Sequence, residues 1–315
     1  MDDAGLTDML RSRLGRVVAI ESMGGTAGRT MLYRVNGGEC VLKLFYHAPE
    51  IKQMRELTAY AFLASSGLPV ARLLDWGVLP SGVPWILLSH VPGETIKEIK
   101  RRMPGSPARL TDAMATLLAQ LHRLPADTSP LFVGKEARAT LLQARLTKYA
   151  GFVTCAARAH LSERALWRRA RSEMQRLLLD DSARWARKGV FVHGDFSTRN
   201  LLARNTEQGV ETTGIIDFER ARLGDPAEDL CAVFLEDFCR DESGWRRFLE
   251  RYCLLAGADS GLGIRFVYFF IGHVAEIATW APGKDDAYYR AGIAALETVL
   301  ESLLEWRDEK GKRRR

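Results

Sequence analysis

Two short segments of the chain concentrate side chains that could move a proton and bind a metal ion. The first, VHGDFSTRN at 192–200, contains Asp195 and Asn200, and the second, IDFE at 216–219, places Asp217 17 residues after Asn200. A positioned carboxylate can take a proton from an attacking hydroxyl, and carboxylate and amide oxygens are suitable ligands for Mg²⁺. Asp and Asn also favour turns, so either residue alone would indicate only a loop.

Together the two segments resemble the catalytic and metal-binding loops of the aminoglycoside phosphotransferase and choline kinase-like enzymes, relatives of protein kinases that phosphorylate small molecules. The resemblance covers roughly residues 16 to 300. It implies that Asp195 is the catalytic base and that Asn200 and Asp217 hold Mg²⁺ on the phosphates of a nucleotide. It also assigns His193 to holding the loop and makes Arg199 a candidate for stabilising transition-state charge.

The resemblance further implies a phosphate-binding lysine in the N-terminal part of the chain. Lys43 is the one cation in the apolar segment 41–44, VLKL, and Glu56 follows 13 residues later on a predicted helix. A cation in an apolar strand needs a charged partner, and the strand-lysine to helix-glutamate pair of this fold supplies one. Taken alone, Lys43 could protect an edge strand and Glu56 could be a solvated helix residue.

Two further segments are candidates for nucleotide binding. Gly24 and Gly25 lie in a turn between the first two predicted strands, where backbone N–H groups could approach phosphate oxygens. A Gly-Gly turn also occurs in ordinary hairpins, so this signal is weak. The backbone groups of Ser89 and Val91, at the junction of the two predicted lobes, are the candidates for contacting the nucleotide base.

The pattern of the chain predicts an α+β, bilobal, protein-kinase-like fold. Short β-branched or aromatic segments up to residue 90 predict an antiparallel sheet, and apolar residues at three- and four-residue intervals over 49–65 predict one helix within it. Helical periodicity then dominates. We predict an N-terminal nucleotide-binding lobe at 1–92, a mostly α-helical catalytic and substrate-binding lobe at 93–309, and a disordered basic tail at 310–315.

Composition excludes several classes of protein. The net charge is +6, but residues 310–315 carry five positive charges, and the rest of the chain has a net charge of only +1. This balance argues against nucleic acid as the main partner. The five cysteines are spread out, which indicates neither a disulfide framework nor a zinc site and favours a reducing cytoplasm. We find no secretory signal and no membrane-spanning segment.

The acceptor is a small molecule, for which the sequence favours a cation. Nine acids stand against three arginines between residues 217 and 242: Asp217, Glu219, Asp225, Glu228, Asp229, Glu236, Asp237, Asp241 and Glu242, against Arg220, Arg222 and Arg240. Such a segment would attract a cation, although a solvated helix face explains it equally well. Trp280, Tyr288 and Tyr289, near further acids, could contact an amine but are more often core residues.

The sequence therefore predicts a Mg²⁺-dependent kinase that transfers the γ-phosphoryl of ATP or GTP to a hydroxyl of an aminoglycoside or another amine-bearing antibiotic. A metabolic kinase for choline, a sugar or an amino alcohol would share every catalytic residue. A pseudokinase that only binds partners is disfavoured because all five residues of catalytic type are present, namely Lys43, Glu56, Asp195, Asn200 and Asp217. The oligomeric state stays open.

Overall fold

A computed structural model describes residues 3–16, 19–24, 30–102, 107–125, 135–180, 185, 189–206 and 209–313. The chain forms two compact units, one from 1–105 with 199–222 and the other from 106–198 with 223–315. Residues 94 and 95 pair with 203 and 202 as neighbouring strands, which joins the two parts of the first unit. The division into lobes at 1–92 and 93–309 stays a prediction.

The elements follow in chain order: α1 (Asp3–Leu14), β1 (Ile20–Gly24), β2 (Thr30–Val35), β3 (Cys40–Phe45), α2 (Pro49–Leu63), β4 (Leu73–Val78), β5 (Pro84–Ser89), β6 (Glu94–Thr95), α3 (Ile96–Arg102), α4 (Pro107–Arg123), α5 (Lys135–Ala159), α6 (Arg164–Leu178), β7 (Val190–Val192), β8 (Leu201–Thr206), β9 (Gly209–Ile215), β10 (Arg222–Gly224), α7 (Pro226–Val233), a π-helical segment (Phe234–Phe238), α8 (Glu242–Ala256), α9 (Leu262–Ala278) and α10 (Asp286–Arg313). No helix in the described part of the chain is long and apolar enough to cross a membrane.

The first unit is built on an antiparallel sheet in the order β1-β2-β3-β5-β4, as the sequence predicts. Side chains alternate between the two faces of a strand. Leu42 and Leu44 of β3 lie in the apolar core on one face, so Lys43 between them points to the opposite face, where Glu56 of α2 lies. Strands β6, β8 and β9 form a second, three-stranded sheet in this unit.

Besides α2, the helix predicted within the sheet, this unit contains helix α1. Leu6 and Leu10 are buried in the core of the five-stranded sheet, and Met9 and Leu14 pack at its edge. Their spacing of three and four residues is the signal that could have predicted the helix. Helix α3 was also not predicted.

The second unit is mostly helical, as predicted. Helix α4 packs against α8, and α5 packs against α9. Asp225 caps α7 by accepting the backbone N–H of Ala227 at 2.9 Å, and Pro226 occupies the first turn, where no intrahelical N–H is needed. The π-helical segment follows α7 directly. A π turn inside a helix often marks a functional site.

Helix α10 is described through Arg313. The basic tail at 310–315 stays a prediction. Residues 314 and 315 lie outside the described residues.

Candidate active site

Three side chains predicted from distant parts of the sequence meet in the first unit. Lys43 Nζ donates hydrogen bonds to Glu56 and to Asp217 Oδ1, the latter at 2.9 Å. Glu56 is fully buried, and Lys43 has an exposed fraction of 5%. The lysine predicted to bind phosphate is therefore held between two carboxylates.

The charge balance around Lys43 keeps the ammonium group protonated. Burial by itself lowers the pKa of Lys43, but the carboxylates of Glu56 and Asp217 outweigh it and raise the pKa above its ordinary value. Burial raises the pKa of Glu56 to about 7 in spite of the nearby ammonium, and the negative charges of Asp217 and Glu219 act in the same direction. A further cation near these acids would relieve their mutual repulsion.

Asp217 has an unusual backbone conformation. Its φ is +67°, in the left-handed region that non-glycine residues seldom occupy. The residue that follows, Phe218, is buried and packs edge-on against Tyr60 of α2, with ring centroids 5.2 Å apart. Asn200 is connected to the same loop, because its carbonyl accepts the Ile216 N–H at 3.0 Å. The two predicted metal ligands thus stand on adjoining backbone in one unit.

Glu219, named above only as one of the acids of 217–242, also belongs to this site. Its two carboxylate oxygens accept from Lys52 Nζ at 2.9 and 3.0 Å. One oxygen atom each from Glu56, Asp217 and Glu219 lies within 4.8 Å of the others. Its position two residues after Asp217 is the signal that could have found it.

This donor set fits a divalent cation. Carboxylate and amide oxygens are the hard ligands that Mg²⁺ takes in proteins. Glu56 Oε2 is buried and has no hydrogen-bond partner within the described part of the chain, so the cluster has an acceptor atom to spare. A buried acceptor without a donor is costly, and a bound cation or its water would satisfy it.

Three further residues predicted to contact the nucleotide, Gly24, Ser89 and Val91, also belong to the first unit. Gly24 ends β1 with a φ of +86°, and Gly25 lies outside the described residues. Ser89 N–H donates to Arg72 O at 2.8 Å, so that amide is already used by the sheet. We find no acceptor for the Val91 N–H among the described residues. Arg199 is exposed.

The predicted base, Asp195, lies in the second unit on a loop fixed by Asp229. The Asp229 carboxylate accepts the backbone N–H of His193 at 2.8 Å and that of Gly194 at 2.6 Å. His193 Nδ1 in turn accepts the Asp195 N–H at 3.2 Å. Asp229 therefore holds the two backbone N–H groups that directly precede Asp195.

Asp229 is itself supported by a buried network. It accepts from His122 Nε2 at 3.0 Å, and His122 Nδ1 lies 2.7 Å from the hydroxyl of Tyr252. Burial alone would raise the pKa of Asp229, but the hydrogen bonds from His122 and from Gly194, together with the nearby histidines, lower it. The carboxylate therefore stays ionised and acts as an acceptor for the loop.

A second carboxylate holds the other end of the same loop. Asp237, in the π-helical segment, accepts the Thr198 N–H at 3.0 Å and also the Thr198 hydroxyl. The side chains of Thr198 and of its neighbour Ser197 are buried. No local sequence pattern predicts this contact, because its partners are 39 residues apart in the chain.

The acidic segment predicted to attract a cation is largely engaged within the protein. Ion pairs join Asp225 to Arg265 at 2.8 Å, Glu228 to Arg145 at 2.6 Å and Glu242 to Arg246 at 2.8 Å. Asp241 caps α8 by accepting the Gly244 N–H. Trp280 and Tyr288 contact each other, and Tyr289 packs on His160. The acids of 217–242 are therefore not a free anionic surface.

Comparisons with known protein sequences find matches to phosphotransferases. The sequence model described as "Phosphotransferase enzyme family" matches residues 23–265. An aminoglycoside 3'-phosphotransferase from Escherichia coli is 29% identical over 152 residues, which cover 48% of this chain and 51% of the relative. A viomycin phosphotransferase from Streptomyces vinaceus is 26% identical over 183 residues, which cover 58% of each chain. The matches thus span about half the length of these curated relatives.

A solved structure supports the same fold over nearly the whole chain. The GDP and kanamycin complex of APH(2")-IIIa superposes with a TM-score of 0.64 at 20% identity, covering 94% of this chain and 98% of that one. The family match extends from the end of β1 into α9 and includes both loops described above. This chain belongs to the phosphotransferase enzyme family.

Proposed function

We propose that this protein transfers the γ-phosphoryl group of ATP or GTP, with Mg²⁺, to a hydroxyl of a small molecule. An aminoglycoside or another amine-bearing antibiotic is the first acceptor to test, because the named relatives are antibiotic phosphotransferases. The observation that carries the proposal is the buried contact of Lys43 with Glu56 and Asp217. Phosphoryl transfer depends on such a fixed cation beside metal ligands, since positioning and charge stabilisation do most of the catalysis.

The residues of the first unit suit nucleotide binding. Lys43, oriented by Glu56, would contact the phosphates, and Asn200 and Asp217 would hold Mg²⁺, with Glu219 as a further ligand. When bound, Mg²⁺ neutralises phosphate charge and orients the γ-phosphoryl group. The unused Val91 N–H supports its assignment as a donor to the nucleotide base, and Gly24 with Gly25 would approach the phosphates.

Asp195 would orient the acceptor hydroxyl and take its proton as the bond to phosphorus forms. The two carboxylates that hold its loop support this role, because a base must be placed within hydrogen-bond reach of the proton it removes. Arg199, adjacent to Asn200 in the chain, would add positive charge where the transferred group carries negative charge.

A metabolic kinase is the second candidate, and one observation favours it. The acids of 217–242 have partners within the protein, so the structure gives no separate electrostatic reason for a polycationic acceptor. A sugar or an amino alcohol would need only a hydroxyl that reaches Asp195.

A panel of acceptors separates the two candidates. Purified protein is incubated with Mg²⁺ and γ-labelled ATP or GTP, together with aminoglycosides, peptide antibiotics, sugars or amino alcohols, and products are located by mass spectrometry and NMR. Labelled antibiotic, with raised resistance of a susceptible host that expresses the wild type but not Asp195→Asn, supports the first candidate. Labelled sugar or amino alcohol supports the second, and no label in any acceptor would refute the proposed transfer.

A further inference from the structure

The second unit contains a cavity that none of the residues proposed for phosphoryl transfer lines. Its volume is about 870 Å³, within the range that drug-sized ligands occupy. It lies between the π-helical segment, the start of α8, α9 and α10. Cavities of this size with apolar walls and a few polar groups are the usual form of a small-molecule site.

Three half-buried aromatic rings form one wall of this cavity. The centroid of Phe234 lies 5.1 Å from that of Trp245 and 5.7 Å from that of Phe266, and Trp245 and Phe266 are 5.6 Å apart. The rings therefore support one another and present a continuous apolar surface. Such a surface gains free energy by covering an aromatic or aliphatic group.

Two arginines lie beside this wall without a carboxylate partner. A neighbouring cleft of about 470 Å³ is lined by Arg240 and Arg290 over the alanines of α10, and it shares Cys239, Arg240 and Thr298 with the larger cavity. Neither arginine forms an ion pair with any residue that the structure describes. The acid at the cavity rim, Glu242, is paired with Arg246 at 2.8 Å.

We propose that the cavity and cleft together bind a small organic anion. Its aromatic or aliphatic body would cover Phe234, Trp245 and Phe266, and its carboxylate, sulfonate or phosphate group would accept from Arg240 and Arg290. Guanidinium groups bind such anions with paired, charge-assisted hydrogen bonds. The positive charges of Arg240 and Arg290 would repel a polycation from the same site.

The π-helical segment connects this site with the Asp195 loop. Phe234 and Phe238 of the segment line the cavity, and Asp237 of the same segment accepts both hydrogen bonds from Thr198. A ligand against the rings therefore contacts the element that fixes one end of the loop. The binding site itself does not depend on the proposed phosphotransferase activity, and binding alone tests it.

Two dyes with the same kind of aromatic body test the proposal directly. One is 8-anilinonaphthalene-1-sulfonate, which carries an anion, and the other is the uncharged N-phenyl-1-naphthylamine. We expect saturable, one-to-one binding of the sulfonate to the folded protein, about tenfold tighter than that of the uncharged dye. Absence of saturable binding, or equal affinity for the two dyes, would overturn the proposal.

Substitutions locate the binding. The double variant Arg240→Gln, Arg290→Gln should bind the sulfonate about tenfold more weakly. The double variant Arg168→Gln, Arg171→Gln on α6, which removes the same charge from exposed positions that line neither the cavity nor the cleft, is the matched control and should not change the affinity. Circular dichroism melting confirms that each variant is folded. Equal affinity of the double variant and the wild type would place the sulfonate elsewhere and refute the site.

Cysteine labelling gives a second measurement that needs no substitution. Cys239 lines both the cavity and the cleft, whereas Cys155 is exposed on α5. Saturating sulfonate dye should slow alkylation of Cys239 by iodoacetamide and leave Cys155 unchanged, as read by peptide mass spectrometry. Unchanged labelling of Cys239 at saturating dye would contradict occupation of this cavity.

Discussion

Asp195 lies between two points at which other carboxylates hold the backbone of its loop. Asp229 accepts from the peptide groups of His193 and Gly194, and Asp237 accepts from that of Thr198. Asp229 and Asp237 therefore position the loop, and replacing the Asp195 carboxylate by an amide of the same size tests the chemistry of the proposed base.

Asp195→Asn should lower kcat by about 100- to 10,000-fold, because the amide cannot take the proton of the acceptor hydroxyl. The affinity for Mg²⁺-nucleotide should stay close to that of the wild type, since the proposed nucleotide ligands are other side chains. Steady-state kinetics with the best acceptor of the panel and titration calorimetry with a non-hydrolysable nucleotide measure the two quantities. Wild-type turnover in the variant would remove Asp195 from the role of base.

A substitution at Thr198 tests the contact that holds the far end of the Asp195 loop, because the hydroxyl and the amide of Thr198 both donate to Asp237. Thr198→Val keeps the shape of the side chain and removes one donor, so it should lower kcat several-fold with little change in nucleotide affinity. Thr198→Ser retains the hydroxyl and is the matched control. If the valine variant turns over as fast as the wild type, the hydrogen bond from the Thr198 hydroxyl is not needed to hold the loop.

At the scale of secondary structure, helices α5 and α9 approach closely at one glycine. A Cβ atom added to Gly272 would lie 2.5 Å from ring atoms of Tyr149, whereas one added to Gly151 on α5 would meet nothing within 4 Å. Both glycines are inside helices, so each should gain helix propensity from alanine. They differ only in the space around them.

Gly272→Ala should lower the free energy of unfolding by about 1–3 kcal/mol, because Tyr149 must move. Gly151→Ala should instead raise it by up to about 1 kcal/mol. Urea denaturation followed by circular dichroism compares the two variants with the wild type. Equal effects of the two substitutions would show that α5 and α9 do not pack as described.

The loop that carries Asp195 is joined to α4 and α7 through the ionised carboxylate of Asp229. The stability of the folded protein therefore depends on pH. The pKa of Asp229 is lowered in the folded protein from its ordinary value of 3.8. Its contribution to stability is therefore complete above that value and is lost as the pH falls through the lower, folded pKa. His122 and the two backbone N–H groups would then face a neutral acid.

Asp229→Asn should destabilise the protein by on the order of 3 kcal/mol near neutral pH, because a charged acceptor of several hydrogen bonds is lost. The difference from the wild type should stay constant above about pH 5 and shrink below about pH 4. Denaturation at a series of pH values measures it. A difference that does not vary with pH would mean that Asp229 is not ionised in the folded protein.

The predictable parts of the site are those that match the family's motifs. Lys43 and Glu56 lie on consecutive elements, a strand and the helix after it; the apolar pattern around Lys43 shows that the cation needs a partner, and the resemblance to the family points to Glu56 as that partner. Lys52 and Glu219 are 167 residues apart, and Thr198 and Asp237 are 39 apart. Neither pair has a local pattern that distinguishes it from solvated charge, so only the folded chain reveals them.

At the scale of the whole molecule, the chain passes between its two units three times, at 105, 198 and 222. The second passage falls between Thr198 and Arg199, within the segment that carries both Asp195 and Asn200. The proposed base thus belongs to one unit and the proposed metal ligand to the other, although only five residues separate them. The third passage follows Asp217 and Glu219 by a few residues, so the acidic loop and the helix that it leads into are also divided between the units.

Binding of Mg²⁺ and nucleotide to the folded chain should therefore raise the free energy of unfolding. A ligand that binds only the folded chain adds about 2.7 kcal/mol when its concentration is 100-fold above its dissociation constant. We expect ATP or GTP with Mg²⁺ to raise the melting temperature, and chelation of the metal with EDTA to abolish most of the increase. Running the two nucleotides in parallel also identifies the preferred one.

Asp217→Asn and Asp195→Asn make a matched pair for this measurement, since both replace a carboxylate by an amide. The first should lose the part of the stabilisation that depends on Mg²⁺, because an amide binds the ion more weakly than a carboxylate and leaves Lys43 with one ionic partner fewer. The second should keep it. If nucleotide raises the melting temperature equally with Mg²⁺ and with EDTA, or if the two variants behave alike, Asp217 is not a metal ligand, and the cluster around Lys43 serves the fold alone.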